Sequence, residues 1–116
     1  MVTVRDLVHS YQREIHEASD LLPDRAAALL TKLTALIGNV NDEIRRADAL
    51  YAAVLLAYLE SEAKANRAKI RAETTVEYQR KREARDTKEL AVELARSLKY
   101  FLRAKEEEVR LSRHQP

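Results

Sequence analysis

Apolar residues recur every three or four positions along most of this chain, the spacing of amphipathic helices. Thr3 can cap the first helix, because Asp6 follows at capping-box spacing. Asp20 interrupts the pattern, and Pro23 suits the first turn of a helix. We therefore predict one helix near 3–19 and a second from residue 23. The apolar face of the first comprises Val4, Leu7, Val8, Tyr11, Ile15 and Ala18.

The second predicted helix has a near-heptad apolar seam, which is typical of packed helical pairs. Gly38 lies inside it and lowers helix propensity by roughly 1 kcal/mol, but the apolar phase continues past it. We therefore expect a continuous or gently kinked helix over 23–72. Its seam comprises Leu29, Leu33, Leu36, Val40, Ile44, Ala47, Tyr51, Val54 and Tyr58.

After Tyr58 large apolar residues become sparse, and the sequence then contains a second signal for the start of a helix. Thr74 and Glu77 have capping-box spacing, which predicts a third helix over about 75–112. A helix that continues through Thr74 and Thr75 is the alternative, since threonine is only mildly unfavourable inside a helix. The seam of the third helix comprises Ala91, Leu94, Leu98 and Phe101, with Val109 as a further candidate and Tyr100 to one side.

The composition agrees with an all-α protein. Charged residues make up 34% of the 116 residues, and there are one Gly and two Pro. The length predicts a single domain, 1–116. We expect a long, coiled-coil-like antiparallel hairpin with a short amphipathic N-terminal helix. Because such a shape buries little surface for a short chain, we also expect a homo-oligomer.

Positive charge is concentrated in one segment. Residues 64–85 hold eight basic and three acidic residues, a net charge of +5, whereas the whole chain carries +2. In a hairpin this segment, the basic tip, becomes the turn between two helices, where a helix amino end adds its positive dipole. We predict phosphate contacts here and a possible base stack on Tyr78; a solvated helix end is the alternative. The predicted contacts are Lys64, Arg67, Lys69, Arg71, Arg80, Lys81 and Arg82.

The sequence contains no motif for thiol chemistry, for nucleotide binding by a phosphate loop or for a metal site. There is no cysteine, and a single glycine excludes a glycine-rich phosphate loop. His9 and His16 are seven residues apart, too far for one metal ion, and no Glu-x-x-His pair occurs. We therefore predict no metal site, no cofactor and no enzymatic activity.

The longest apolar run, residues 49–59, is much shorter than the roughly 20 residues of a membrane span. Charges begin at Arg5, so the amino end does not resemble a signal peptide. We expect a soluble protein of the cytoplasm without membrane partners.

The segment from about Asp48 to Arg113 resembles a group of small helical proteins encoded by tailed bacteriophages and prophages. The likeness lies in "YLESE" at 58–62, the Ala/Lys/Arg/Glu-rich arm that follows, and "RLSR" at 110–113. Genes of that group often lie beside phage recombination and replication genes. The resemblance implies an accessory role in phage DNA metabolism, in the host cytoplasm, and names no functional residues.

Together these observations predict a non-enzymatic accessory protein of DNA recombination or replication. The basic tip would bind single-stranded or branched DNA, or a phage recombination or replication protein on it. The alternative is a protein–protein interaction module, such as an adaptor, a host-enzyme inhibitor or a structural spacer. In that case the amphipathic helices would do the binding. Salt separates the two, because phosphate contacts weaken steeply with ionic strength.

Overall fold

The computed structural model describes residues 2–113, all of whose regular structure is helical. Four helices follow one another: α1 (Val4–Glu17), α2 (Pro23–Ser61), α3 (Ala65–Ala72) and α4 (Val76–Arg113). The prediction of an all-α protein built on a helical hairpin is confirmed. None of these helices combines the length and apolar composition needed to cross a membrane.

Helix α1 begins with the predicted capping box. The Asp6 amide donates to Thr3 Oγ1 and the Thr3 amide donates to Asp6 Oδ2, each at 3.1 Å. These two bonds satisfy donors that a helix start leaves unpaired. The bond from the Thr3 backbone also lowers the pKa of Asp6. Local sequence alone therefore sets where α1 starts.

The chain forms two compact units. Unit 1 comprises the chain up to Gly38 together with the chain from Glu89 onward, and unit 2 comprises Asn39–Lys88. Helix α2 passes from one unit to the other without interruption at Gly38, as predicted. A Cβ built on Gly38 meets nothing within 4 Å, so no close contact requires glycine there. The single domain over 1–116 stays a prediction.

The core of unit 1 is formed by one face each of α1, α2 and α4. Partly buried α1 residues, including Leu7, Tyr11 and Ile15, pack against it. A bidentate salt bridge at 2.6 Å, from Arg25 to Glu14, joins α2 to α1 at the edge of this core. The amphipathic face of α1 is thus covered within unit 1. The buried residues are Val8, Ala26, Leu29, Leu33, Leu36, Ala91, Leu94, Ala95 and Leu98.

Unit 2 pairs the second part of α2 with the first part of α4. Asp48 accepts from Arg85 at 2.7 Å, and Tyr51, one turn later on α2, contacts Tyr78, an earlier residue of α4. Because the contacts run forward on one helix and backward on the other, the pair is antiparallel. Buried residues of this unit are Val40, Ala47, Tyr51, Ala68, Ala72, Ala84 and Thr87.

The thirteen residues assigned to the two seams are all buried or half-buried, whereas Val109, the further candidate, is 51% exposed. The buried ones are Leu29, Leu33, Leu36, Val40, Ala47, Tyr51, Ala91, Leu94 and Leu98. Ile44, Val54, Tyr58 and Phe101 are half-buried. Burial within the chain accounts for these side chains, and a seam between copies of the chain stays a prediction.

The prediction of one helix over 23–72 is wrong at its end. Helix α2 stops at Ser61, and a separate helix, α3, covers Ala65–Ala72. The Ser61 hydroxyl donates to the Tyr58 carbonyl at 3.2 Å, and the same carbonyl accepts from the Glu62 amide at 2.9 Å. The break lets α3 bury Ala68 and Ala72, both fully inaccessible. Tertiary packing therefore overrides the helix propensity of "ESEAKAN".

Candidate nucleic-acid interface

The connection between α2 and α4 is held by one ion pair and two small side chains. Arg71 Nη1 lies 2.8 Å from Glu62 Oε1, and only 14% of the Glu62 side chain is exposed. Ala68 and Ala72, four residues apart, form the buried side of α3. Since alanine has the shortest side chain that still favours a helix, α3 packs closely. The opposite side of α3 faces solvent, where Ile70 is 65% exposed.

The turn from α3 into α4 is capped by Thr75, and the prediction of Thr74 as the cap is wrong. Thr75 Oγ1 accepts from the Tyr78 amide at 3.3 Å and donates to the Ala72 carbonyl at 2.6 Å. Thr74 Oγ1 donates only to the Arg71 carbonyl, at 2.7 Å. Thr75 therefore ends α3 and starts α4. The predicted break near these threonines is confirmed.

All eight predicted nucleic-acid contacts lie in unit 2. Four of them, Lys64, Arg67, Lys69 and Arg80, are exposed and form no salt bridge within residues 2–113. Three of these four belong to α3 or its cap, on the side that the buried alanines leave free. Within residues 2–113, these four side chains are the cations of the basic tip that neither pair with a carboxylate nor lie over an aromatic ring.

The other cations of the basic tip contact the protein itself. Lys81 Nζ lies 4.5 Å from the ring centre of Tyr51, and the Arg82 guanidinium lies 5.9 Å from that of Tyr78. Arg71 and Arg85 pair with Glu62 and Asp48. Arg82 is nevertheless exposed and retains its hydrogen-bond donors for solvent or a ligand. The carboxylates partly neutralise Arg71 and Arg85, and Lys81 keeps its charge but is half-buried against Tyr51.

Tyr78 is less available for a base than the sequence suggests. Its ring centre lies 5.3 Å from that of Tyr51, with 45° between the ring planes, and the residue is half-buried. Such a tilted pair is a favourable packing contact inside a protein. Burial, and then the charge of Glu73, raises the pKa of Tyr51. Stacking on Tyr78 stays a prediction.

Sequence reasoning missed a groove in unit 1. It has a volume of about 430 Å³ and lies between α2 and α4. Tyr100, which is 62% exposed, lies on the wall of this groove. The groove is also lined by Arg96, Lys99 and Arg103, and none of these three cations forms a salt bridge within residues 2–113. The spacing of these cations, three and then four residues apart on α4, was the available signal. The lining residues are Thr34, Ile37, Val92, Ala95, Arg96, Lys99, Tyr100 and Arg103.

Sequence reasoning placed Tyr51, Val54 and Tyr58 in the seam of the second helix and noted that residues 49–59 are too short for a membrane span, but it assigned no role to the leucines of this segment. In the structure, Leu50, Leu56 and Leu59 of this segment are 52%, 56% and 42% exposed. The available signal was the absence of any charge over eleven helical positions, since a helix face in contact with water normally carries charges.

Within residues 2–113, no three His, Asp or Glu side chains come together as a metal-binding group. Comparisons of the chain with protein-family models, curated proteins and solved structures find no match.

Proposed function

We propose that this protein binds single-stranded nucleic acid through the basic tip, as a non-enzymatic accessory protein of phage-type DNA recombination or replication. The setting, including the host cytoplasm, rests on the resemblance of the segment from Asp48 onward. The binding surface rests on one observation: Lys64, Arg67, Lys69 and Arg80 are exposed in one compact unit and have no acidic partner among residues 2–113.

The chemistry of these groups supports phosphate as the ligand. Clustered cations that no carboxylate neutralises attract a polyanion, and binding releases the counterions condensed on it. Arg80 and Arg82 lie in the second turn of α4, directly after the first turn, where the helix dipole adds positive potential. With Arg82 included, five exposed cations are available for phosphates.

The number of cations sets the expected salt dependence. For single strands the logarithm of the binding constant falls with the logarithm of salt concentration with a slope of about −0.7 per phosphate contact. Five contacts therefore give a slope of about −3.5. Replacing Arg80 and Arg82 with glutamine should reduce the slope to about −2.1.

The test is fluorescence anisotropy of a labelled single-stranded oligonucleotide, titrated with protein at several salt concentrations. The variant Arg80→Gln/Arg82→Gln is compared with Arg110→Gln/Arg113→Gln, which removes the same charge from exposed positions in unit 1. The proposal expects weaker binding and a smaller slope in the first variant only. If both variants lose the same affinity, the net charge of the protein explains the loss, and the assignment of the basic tip as the binding surface is contradicted.

The groove of unit 1 provides a further comparison. Arg96→Gln/Lys99→Gln removes two of its cations without touching the basic tip. If this variant alone loses affinity, nucleic acid binds in unit 1 and the basic tip is the wrong surface. If wild-type protein binds no oligonucleotide at low salt, nucleic-acid binding itself is wrong.

The protein–protein alternative stays a second candidate because of the exposed apolar side of α2. Helix α1, one of the amphipathic helices that this alternative would use, has its apolar face packed on the core of unit 1. Leu50 and Leu56 remain exposed on α2. Apolar docking predicts binding that changes little with salt, in contrast to the basic tip.

A further inference from the structure

One side of α2 in unit 2 is apolar and faces solvent. Ala47 and Tyr51 are buried, whereas Leu50 and Leu56 are 52% and 56% exposed. No charged residue occurs from Ala49 to Leu59. An isolated exposed leucine is ordinary, but a contiguous apolar helix face indicates an interaction site.

The exposed positions form a stripe along the helix. Ala49, Ala53 and Ala57 recur every four residues and are all exposed. At 100° per residue they lie within 80° of one another, with Leu50 on one flank and Leu56 on the other. A face with small residues in the middle and leucines at the sides lets a second helix approach closely and pack against both flanks.

The two ends of this stripe carry opposite charges. Arg46 lies one turn before Ala49, and Glu60 lies one turn after Leu56. Both are exposed, and neither forms a salt bridge within residues 2–113. Their neighbour Arg45 is different, because it pairs with Asp42 at 2.9 Å. We call the seven residues the α2 face: Arg46, Ala49, Leu50, Ala53, Leu56, Ala57 and Glu60.

The α2 face is symmetric about Ala53. Arg46 and Glu60 are each seven positions from Ala53, Ala49 and Ala57 are each four, and Leu50 and Leu56 are each three. A surface with this symmetry is complementary to itself when a copy is placed on it in the opposite direction. Self-complementary contact about a two-fold axis is the usual basis of a homodimer.

We propose that the α2 face binds the α2 face of a second copy of this chain, antiparallel, with the two Ala53 residues at the two-fold axis. In this register each Arg46 faces Glu60 of the second copy, and each Leu50 faces Leu56 of the second copy. A parallel arrangement would instead place Arg46 against Arg46 and Glu60 against Glu60. Because opposing like charges are unfavourable, the charges select the antiparallel arrangement.

The size of the face sets the strength of the dimer. From Arg46 to Glu60 the helix rises about 21 Å. One side of a helix of this length offers less area than the roughly 800 Å² that each partner buries in a standard interface. Exposed ion pairs add specificity and little affinity. The dimer should therefore dissociate in the micromolar range, and its population should depend on protein concentration.

Cysteine cross-linking tests the register, since the chain contains no cysteine. Under mild oxidation Ala53→Cys should form a disulfide dimer. Ala49→Cys alone should not, but a mixture of Ala49→Cys and Ala57→Cys should. Efficient self-cross-linking of Ala49→Cys would indicate a parallel pair and overturn the proposal, as would failure of Ala53→Cys to cross-link above the level of Arg110→Cys.

Sedimentation tests the energetics independently of any cross-link. Arg46→Glu should raise the dimer dissociation constant at least tenfold, and Arg46→Glu/Glu60→Arg should bring it back to within about threefold of wild type, because it exchanges the two charges. Arg110→Glu is the control for a single reversal elsewhere. Wild-type protein that stays monomeric at several hundred micromolar, or a double variant that does not recover, would overturn the proposal. Neither result bears on the basic tip, whose oligonucleotide binding is measured separately.

Discussion

Replacing Leu33 with alanine tests whether unit 1 is held together by its apolar core. Leu33 is fully inaccessible on α2 and belongs to the cluster that also contains Val8, Leu94 and Leu98. The substitution removes three carbons, each worth about 0.8 kcal/mol of transfer free energy, so burial alone accounts for about 2.4 kcal/mol. The cavity left behind adds to this, and fully buried Leu→Ala changes cost about 2–5 kcal/mol.

We therefore expect the free energy of unfolding to fall by about 3 kcal/mol, a large share of the 5–15 kcal/mol typical of a domain. Urea denaturation followed by circular dichroism measures it, and with a slope of about 1–3 kcal/mol/M the midpoint should drop by roughly 1–3 M. Leu111→Ala is the matched control, because Leu111 is 56% exposed on α4. A Leu33→Ala cost below about 1 kcal/mol, or one equal to the control, would refute the packing described for unit 1.

Four further substitutions, two of them at the turn from α3 into α4, probe a helix end, the helix interior and the α1–α2 contact. Thr75→Ala should cost about 1 kcal/mol in urea denaturation, because it removes the α4 cap, while Thr74→Ala should cost less. Gly38→Ala should raise stability by about 0.5–1 kcal/mol in thermal denaturation, since a Cβ meets no neighbour there; a loss would mean that α2 is not regular at Gly38. Arg25, the main cause, lowers the pKa of Glu14 below its ordinary value of 4.5. The stability that Glu14 contributes should therefore be full above pH 4.5 and vanish as pH falls through the lowered pKa, so wild type and Glu14→Gln should converge in acid. A stability difference between them that does not change with pH would contradict the salt bridge.

The features that could be predicted are those decided by residues close in sequence. The capping box of Thr3 and Asp6 is local, so its spacing was enough to place the start of α1. The continuity of α2 through Gly38 followed from an apolar phase that the glycine does not shift. Both depend on helix periodicity rather than on distant contacts.

The end of α2 could not be predicted in the same way. The residues around Ser61 favour a helix and include neither Gly nor Pro. The chain breaks because Glu62 pairs with Arg71 and because α3 buries two alanines, and both effects need α3 to be folded back already. The choice of Thr75 over Thr74 depends on the same turn.

The candidate site was likewise predictable only in part. The charge excess of residues 64–85 is visible in the sequence, and most of its cations are exposed. That Arg85 pairs with Asp48, and that Lys81 lies over Tyr51, depends on contacts across the helical pair. Periodicity shows which side of a helix is apolar, but it does not show which acid on the neighbouring helix a given cation meets.

The two buried alanines of α3 divide this helix into positions that can change and positions that cannot. Any larger side chain at Ala68 or Ala72 must displace the helix, because both are fully inaccessible. Arg67, Lys69 and Ile70 are exposed and carry no such restriction. Over evolutionary time the charge and polarity displayed by α3 can therefore vary while its backbone stays in place, so related proteins could differ in ligand without differing in fold.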